Sequence, residues 1–433
     1  MPLVRTGPRC RRRLFHFRVL ERAQMLRKAM LWLLMDNFPL RVLEFFCLRK
    51  IIKRPIVMVA VLLHLLDSSS VYLDSAQALI RMANMPRTTV YYPFCRDSEM
   101  LRFSDDIWDS PHGCNMFLLR FRFRREHFIQ LAVALELVNL NDGQFFRSIR
   151  VGQPGHYHVF PSDVCLMVLL RRLSSPCRFA DLVNEFYLPS HRICEIFHAM
   201  IDLIFIKFAY RLSDPKIWTR YFTIFADRMK AMGAPFDSLV GLIDGNFLQL
   251  CRPLGLGNFR ANVDLQEYYY SGKEKCHGIK FLALLFPNGM VAIAGPSCGR
   301  VHDARMLRES GWMQMLYDYE QRTGRTMFVF GDAAFPCNRY CQSMRKGVLT
   351  IEERAFNSLM SRIRIQVENA FAGMQNTFNF LTMANHLRLG GRNTKRLYSV
   401  ASFLMNCHVC FYGNQFVAKS KLDPPSLNEF IQM

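Results

Sequence analysis

The run LVGLIDGNFLQL, Leu239 to Leu250, decides how this chain is read. Upstream, apolar residues recur at helical spacing; after Pro235 that period gives way to a short, nearly continuous apolar run, the pattern of a strand buried on both faces. Asp244 stands in its middle. An unpaired carboxylate inside such a strand costs several kcal/mol, so Asp244 implies a cation beside it, from a side chain or from a metal.

Working outward, the apolar run Ile279 to Phe286, the turn Pro287, Asn288, Gly289 and the run Met290 to Ala294 predict a β-hairpin, with Asn-Gly as its turn signal. A helix is expected from about His302 and Asp303, and another strand, Met327 to Phe330, stops at Gly331 and Asp332. A final amphipathic helix runs from about Phe356 through Met374, with Ile363, Val367 and Phe371 on one stripe and Glu368 beside it. Alone, Asp-Gly reads as a turn, Gly-Asp at a strand end as a loop and a helical Glu as a solvated residue; their ordered co-occurrence carries the weight.

Strand, hairpin, helix, strand, helix is the order of a ribonuclease-H-like α/β (α+β) domain, a mixed sheet flanked by helices. In that topology the first and fourth strands are neighbours, so Asp244 and Asp332, 88 positions apart, meet at one end of the sheet, and Glu368, 36 positions further on, closes the cluster. Three carboxylates are hard oxygen donors suited to Mg²⁺ or Mn²⁺, and two such ions can serve both the attacking and the leaving oxygen of a phosphodiester displacement. Asp244, Asp332 and Glu368 are thus the expected catalytic and metal-holding residues.

Before this region lies a mostly helical stretch. Domain boundaries are expected at 1–110 (basic extension), 111–234 (helical), 235–415 (ribonuclease-H-like) and 416–433 (tail). Within the helical part, Phe179 to Phe186 and Ser190 to Ile204, separated by Tyr187, Leu188 and Pro189, suit either a helix-turn-helix presenting His191, Arg192 and Glu195 outward or an ordinary helical hairpin. Ser190 is the expected N-cap of the second helix.

The 433 residues carry 56 Lys and Arg against 35 Asp and Glu, a net charge of +21 that favours a polyanionic partner. Composition, 51% apolar and 21% charged, excludes a wholly disordered chain. Fourteen of the basic residues fall between Met1 and Arg54, against Glu21, Asp36 and Glu44 alone. That arm reads as a nuclear-localisation or DNA-contacting segment, an organelle transit peptide, or a plain extension. The longest apolar run, Pro55 to Leu66, is too short for a bilayer, which needs about 20 residues, so no membrane span is expected. Fourteen cysteines without framework spacing read as reduced thiols in an intracellular compartment. Cys407 and Cys410 around His408, and Cys337 with Cys341, could be zinc half-sites but fit buried small hydrophobes better.

Four segments together resemble the nuclease domain of Harbinger-type transposases, within the DDE group: IDGNFLQLCRP (243–253), FPNGMVAIAGPSCGRVHDARMLRESG (286–311), FVFGDAAFP (328–336) and FNSLMSRIRIQVENAFAGMQNTF (356–378). The resemblance covers roughly Pro235 to Arg388. It implies Asp244 as the first aspartate, Asp332 as the second and Glu368 as the glutamate, with Arg364 one helical turn before it. Asp303, in the His-Asp pair, matches a patterned position and reads equally as a fourth metal ligand or as an acid favoured by a helix N-terminus. The sequence departs from the family at Asn246, where Thr or Ser is usual, at Phe335, where Tyr is usual, and at Met374 or Gln375, where a basic residue is expected.

The resemblance implies a metal-dependent DNA endonuclease or transposase, host-adopted if diverged, working in the nucleus or also the cytoplasm. Phosphate contacts are expected from Lys273, Lys275, Lys280, Arg300, Arg305, Arg364 and Arg192. Expected partners are DNA, a Myb-like accessory protein of the kind that assists this family, and a second copy of the chain. Two other classes stay open: a catalytically dormant DNA- or protein-binding module, and an organelle or RNA-directed nuclease sharing the sheet.

Overall fold

The structure, a computed structural model, describes residues 88–91, 101–139, 146–153, 156–253, 266–384, 387 and 394–433. The basic arm 1–54 and the apolar run 55–66 lie outside the described residues. The chain divides into two compact units, Met1–Tyr92 with Gly152–Val159, and Pro93–Val151 with Phe160–Met433.

Among the described residues the first three strands are β1 (Thr88–Tyr91), β2 (Ser148–Gln153) and β3 (His156–Pro161). In the first unit β1 runs parallel to β3, from Thr88 opposite His156 to Tyr91 opposite Val159. Strands β2 and β3 interrupt a region whose periodicity predicted mostly helix.

The second unit begins with helices α1 (Pro111–Phe121) and α2 (Arg125–Ala134). Ser110 caps α1 by accepting from the Gly113 N–H at 2.9 Å, with Pro111 at the first helical position, where its missing donor costs nothing. Helix α3 (Ser162–Ser174) is buried along nearly its whole length. The expected helical pair is less regular than its sequence suggests. Phe179–Leu182 is a 3-10 turn, α4 (Val183–Phe186) is a single turn, and Tyr187 breaks the chain at φ 49°. Helix α5 (Ser190–Lys207) then follows with Pro189, not Ser190, at its cap position. Arg192 Nη1 pairs with Glu195 Oε2 at 2.7 Å and both side chains are largely covered, so of the three residues expected to point outward only His191 is exposed. Helix α6 (Phe222–Ala231) leads into the sheet.

That sheet consists of β4 (Leu239–Gln249), β5 (Tyr270–Ser271), β6 (Cys276–Leu285), β7 (Val291–Cys298), β8 (Phe328–Gly331) and β9 (Cys341–Ser343). Its order is β5-β6-β4-β8-β9, with β7 on β6. β6 is antiparallel to β4 and β7, whereas β8 is parallel to both β4 and β9. The β6–β7 hairpin turns at Asn288-Gly289, with Gly289 at φ 79° and the Phe286 N–H donating to the Met290 carbonyl at 3.0 Å.

The remaining helices are α7 (Asp303–Glu309), α8 (Trp312–Thr323), α9 (Ile351–Thr377), α10 (Thr394–Tyr412), α11 (Gln415–Ser420) and α12 (Leu427–Gln432). The fold is ribonuclease-H-like: a curled mixed sheet flanked by helices and preceded by a mostly helical part. The stretch 416–433, expected as a tail, is instead packed, with Phe416, Leu427 and Phe430 buried. No helix among the described residues is long and apolar enough to cross a membrane.

The core that positions the site lies between the sheet and α9. Leu239 and Leu242 of β4, Phe328 and Phe330 of β8, and Met360, Ile363 and Val367 of α9 form one buried cluster. Leu239 and Leu242 are three apart, so strict alternation would put them on opposite faces. A register irregularity between Leu239 and Gly241 brings both to the same side. Helix α9 starts at a capping box in which the Thr350 hydroxyl accepts from the Glu353 N–H and the Glu353 carboxylate accepts from the Thr350 N–H. It extends five residues further toward the N-terminus than its apolar stripe predicted.

Candidate active site

Sheet register brings the two strand aspartates together. β4 and β8 run parallel with Leu242 opposite Phe330, so two residues further on Asp244 comes abreast of Asp332, on the face already occupied by Leu242, Phe330 and α9. The stripe Met360, Ile363 and Val367 that docks α9 on this face continues the same side of the helix into Arg364 and Glu368. The apolar core thus ends, midway along β4 and just past the end of β8, in a cluster of charges.

Two glycines make that end possible. A Cβ on Gly245 would lie 2.8 Å from Asp303 Oδ1 and 2.9 Å from its carboxyl carbon, so the Asp303 carboxylate rests directly on the β4 backbone beside Asp244. A Cβ on Gly331 would lie 2.4 Å from the Phe335 ring and 2.9 Å from Ile243, so the residue before Asp332 must also lack a side chain. Asp-Gly and Gly-Asp are therefore close-approach positions flanking the acids; the first lies within a strand, while the second leads into the turn after β8.

The Asp244 side chain is 16% exposed. Its Oδ1 accepts from the Gly245 N–H at 2.9 Å, and its Oδ2 lies 3.3 Å from Arg364 Nη1. Burial pushes its carboxyl up to about 6; Arg364 and the Gly245 N–H pull the other way, while the neighbouring charges of Asp332 and Glu368 add to the rise. Arg364 also reaches Glu368 Oε1 through Nη2 in a short contact, so one guanidinium spans both carboxylates. Asp332 Oδ1 accepts from the Ala334 N–H at 2.8 Å, which fixes the turn leaving β8.

Asp303 is held differently. Lys280 Nζ lies 3.3 Å from its Oδ1 and also donates to the Val301 carbonyl at 3.1 Å, with both side chains about five-sixths covered (15% and 16% exposed). Asp303 opens helix α7 with His302 at the cap position, which is where the first-turn-acid reading puts it.

The departures from the transposase pattern have packing explanations. Asn246 Nδ2 donates to the Tyr398 hydroxyl at 2.7 Å, both groups are buried, and the Tyr398 ring stacks on Phe281 at 3.8 Å between centroids. Burial pushes the Tyr398 phenol up, so it is a neutral partner. Phe335 is buried against Gly331. Met374 lies in the core, where the Ser402 hydroxyl meets its sulfur at 3.4 Å. Tyr398 had no sequence signal, lying 152 positions from Asn246.

The expected phosphate contacts are dispersed. Lys273 is exposed and 3.9 Å from Glu274, and Lys275 is exposed at φ 55°. Arg300 pairs with Glu267 and Arg305 with Glu309, each at 2.7 Å and largely in solvent. Exposed pairs of this kind are worth less than about 1 kcal/mol and give way readily to a phosphate. Lys280 is committed to Asp303, Arg364 to the acids and Arg192 to Glu195.

Among the described residues no three His, Cys, Asp or Glu side chains are grouped closely enough to hold a metal ion. Cys407 and Cys410 thiols are pushed up by burial and His408 is driven down to about 4, the behaviour of core residues. The acid cluster nevertheless fits a divalent cation by donor chemistry. It offers three carboxylates, one of them dehydrated enough to resist ionisation, and a cation would relieve that strain.

Residues 257–406 match a family model described as DDE superfamily endonuclease. The match includes Asp303, Asp332, Arg364 and Glu368 and begins 13 positions after Asp244. That superfamily comprises nuclease- and transposase-type proteins that generally use divalent metals and act on DNA. No curated protein and no solved structure matches the chain.

Proposed function

We propose that this protein is a metal-dependent DNA endonuclease of transposase descent, Harbinger-like and diverged, that acts in the nucleus. The observation that supports this reading is that one guanidinium, Arg364, meets both Asp244 and Glu368 while the charge of Asp332 raises the Asp244 carboxyl, within and beside a stretch that matches the DDE superfamily endonuclease model. Asp244, Asp332 and Glu368 are the residues that would hold Mg²⁺ or Mn²⁺, which when bound would activate water and neutralise charge at the phosphodiester. Asp244 supplies a rigid, nearly dehydrated oxygen pair from mid-strand. Asp332, held by the Ala334 N–H, turns one oxygen to its own loop and leaves the other for the site. Glu368, half-exposed on α9, is the adjustable member. Lys273, Lys275, Arg300 and Arg305 would meet the DNA backbone. Recruitment of a Myb-like protein and pairing with a second copy belong to the same reading.

The test is nicking of supercoiled plasmid by purified protein with Mg²⁺ or Mn²⁺, beside Asp332→Ala and Glu368→Gln. Wild type nicks and both variants lose at least about a hundredfold of rate, as expected when an interaction made in the transition state is removed. Equal nicking by all three sinks the reading. A second reading, a dormant DNA- or protein-binding module, draws on Met374, buried in the core, or its neighbour Gln375 standing where the family carries a basic residue. DNA binding by all three proteins with no cleavage by any would favour it.

A further inference from the structure

The proposed metal site contains a cation of its own. Arg364 Nη1 sits 3.3 Å from Asp244 Oδ2 while Nη2 touches Glu368 Oε1, so the two fork arms of one guanidinium bridge two of the three carboxylates meant for the metal. The bridge is not a loose surface pair. Arg364 is 22% exposed and Asp244 16%, and the helix that carries Arg364 is fixed to the sheet by Ile363 and Val367 on the adjoining positions. Lys280, a second basic residue of the sheet, is bound by Asp303 and by the Val301 carbonyl. A guanidinium stays charged at any pH a protein survives, so it can leave these oxygens only by moving. A divalent ion needs the same oxygens at about 2.0–2.6 Å and would face the guanidinium as a like charge.

We infer that Arg364 is a built-in counter-ion that occupies the cation position of the metal-free site and competes with the metal for Asp244 and Glu368. It would hold the carboxylates together while the site is empty and swing out when an ion enters. The inference rests on the metal-site reading above and predicts that removing a cation strengthens metal binding, the opposite of what a merely supporting residue would do.

The experiment is Mn²⁺ titration of the full chain followed by the electron paramagnetic resonance signal of free ion, with thermal melts of metal-free and Mn²⁺-saturated protein. Arg364→Gln is expected to bind Mn²⁺ on the order of tenfold tighter than wild type, the size of an ordinary site-to-site coupling. It should melt lower than wild type without metal and gain more from Mn²⁺. Equal or weaker Mn²⁺ binding by Arg364→Gln overturns the inference. Should that variant not fold, Arg364→Lys, which keeps the charge but cannot bridge both acids, replaces it: tighter binding supports the competition and unchanged or weaker binding overturns it. Asp332→Ala and Glu368→Gln separate the two layers of argument, since Mn²⁺ binding undiminished in both would fail the metal site itself, whatever Arg364 does.

Discussion

Two aspartates meet at Gly245, Asp244 preceding it in the chain and Asp303 resting on its backbone, and each is about 16% exposed and paired with a cation at 3.3 Å. Their surroundings differ. Lys280 has one carboxylate and one carbonyl, both satisfied, in a wedge between β6 and the start of α7, so the pair is closed. Arg364 is shared between Asp244 and a half-exposed Glu368, with Asp332 close enough to raise the Asp244 carboxyl further, so that side is open to another cation. Equal burial and equal pairing therefore do not imply equal role. A strut fixes the backbone around the site, and a shared guanidinium leaves the acids exchangeable.

The strongest challenge to this contrast is Gly245→Ala, which drives a methyl into Asp303 and should cost about 3 kcal/mol, the upper end for a single overpacking change. A chemical-denaturation curve within about 0.5 kcal/mol of wild type would mean that Asp303 is not anchored on this backbone.

Next is Lys280→Ala, which strands Asp303. Breaking a buried pair costs about 3–5 kcal/mol, and with the pair about one-sixth exposed roughly 2 kcal/mol is expected. Lys280→Met with Asp303→Asn should recover most of that loss, because a closed strut is replaceable by packing. Arg364→Gln in metal-free protein strands Asp244 much as Lys280→Ala strands Asp303 and should likewise cost roughly 2 kcal/mol, since only Glu368 returns to water. A larger loss for Arg364→Gln than for Lys280→Ala would invert the assignment of strut and exchangeable cation.

The smallest effect concerns the packing behind the site. Tyr398→Phe removes the hydroxyl from the Asn246 amide and should lower stability by about 1 kcal/mol, read in the same denaturation curves. Restoration by Asn246→Val in the Tyr398→Phe background would show that the pair tunes packing and has no part in the acid cluster.

Much of this arrangement was legible in the chain because its cause is local or topological. Mid-strand Asp244 announces a cation by the cost of burial alone, Asn288-Gly289 fixes the hairpin, and the order of elements makes β4 and β8 neighbours. What escaped depends on contacts remote in sequence or on weak local patterns. The irregularity at Gly241 that lets Leu239 and Leu242 share a face breaks the two-residue period by which strands are read. Strands β2 and β3 are only six residues each, with polar residues interspersed, and vanish inside a helical average. Residues 416–433 carry only a few apolar anchors, Phe416, Leu427 and Phe430, too sparse for a periodic signal yet enough to seat two short helices. Lys280 looked like a phosphate contact because its charge is visible in the sequence while Asp303, 23 positions away, is not visibly its partner.

The central claim, that Asp244, Asp332 and Glu368 form a cation site while Asp303 belongs to the scaffold, is tested most directly by anomalous scattering from crystals grown with millimolar Mn²⁺. The account predicts an anomalous peak among Asp244, Asp332 and Glu368, with Arg364 turned away and Asp303 still on Lys280. Strong density at Asp303 with Lys280 displaced, or no density within reach of Asp244 in crystals that bind Mn²⁺ elsewhere, would contradict it.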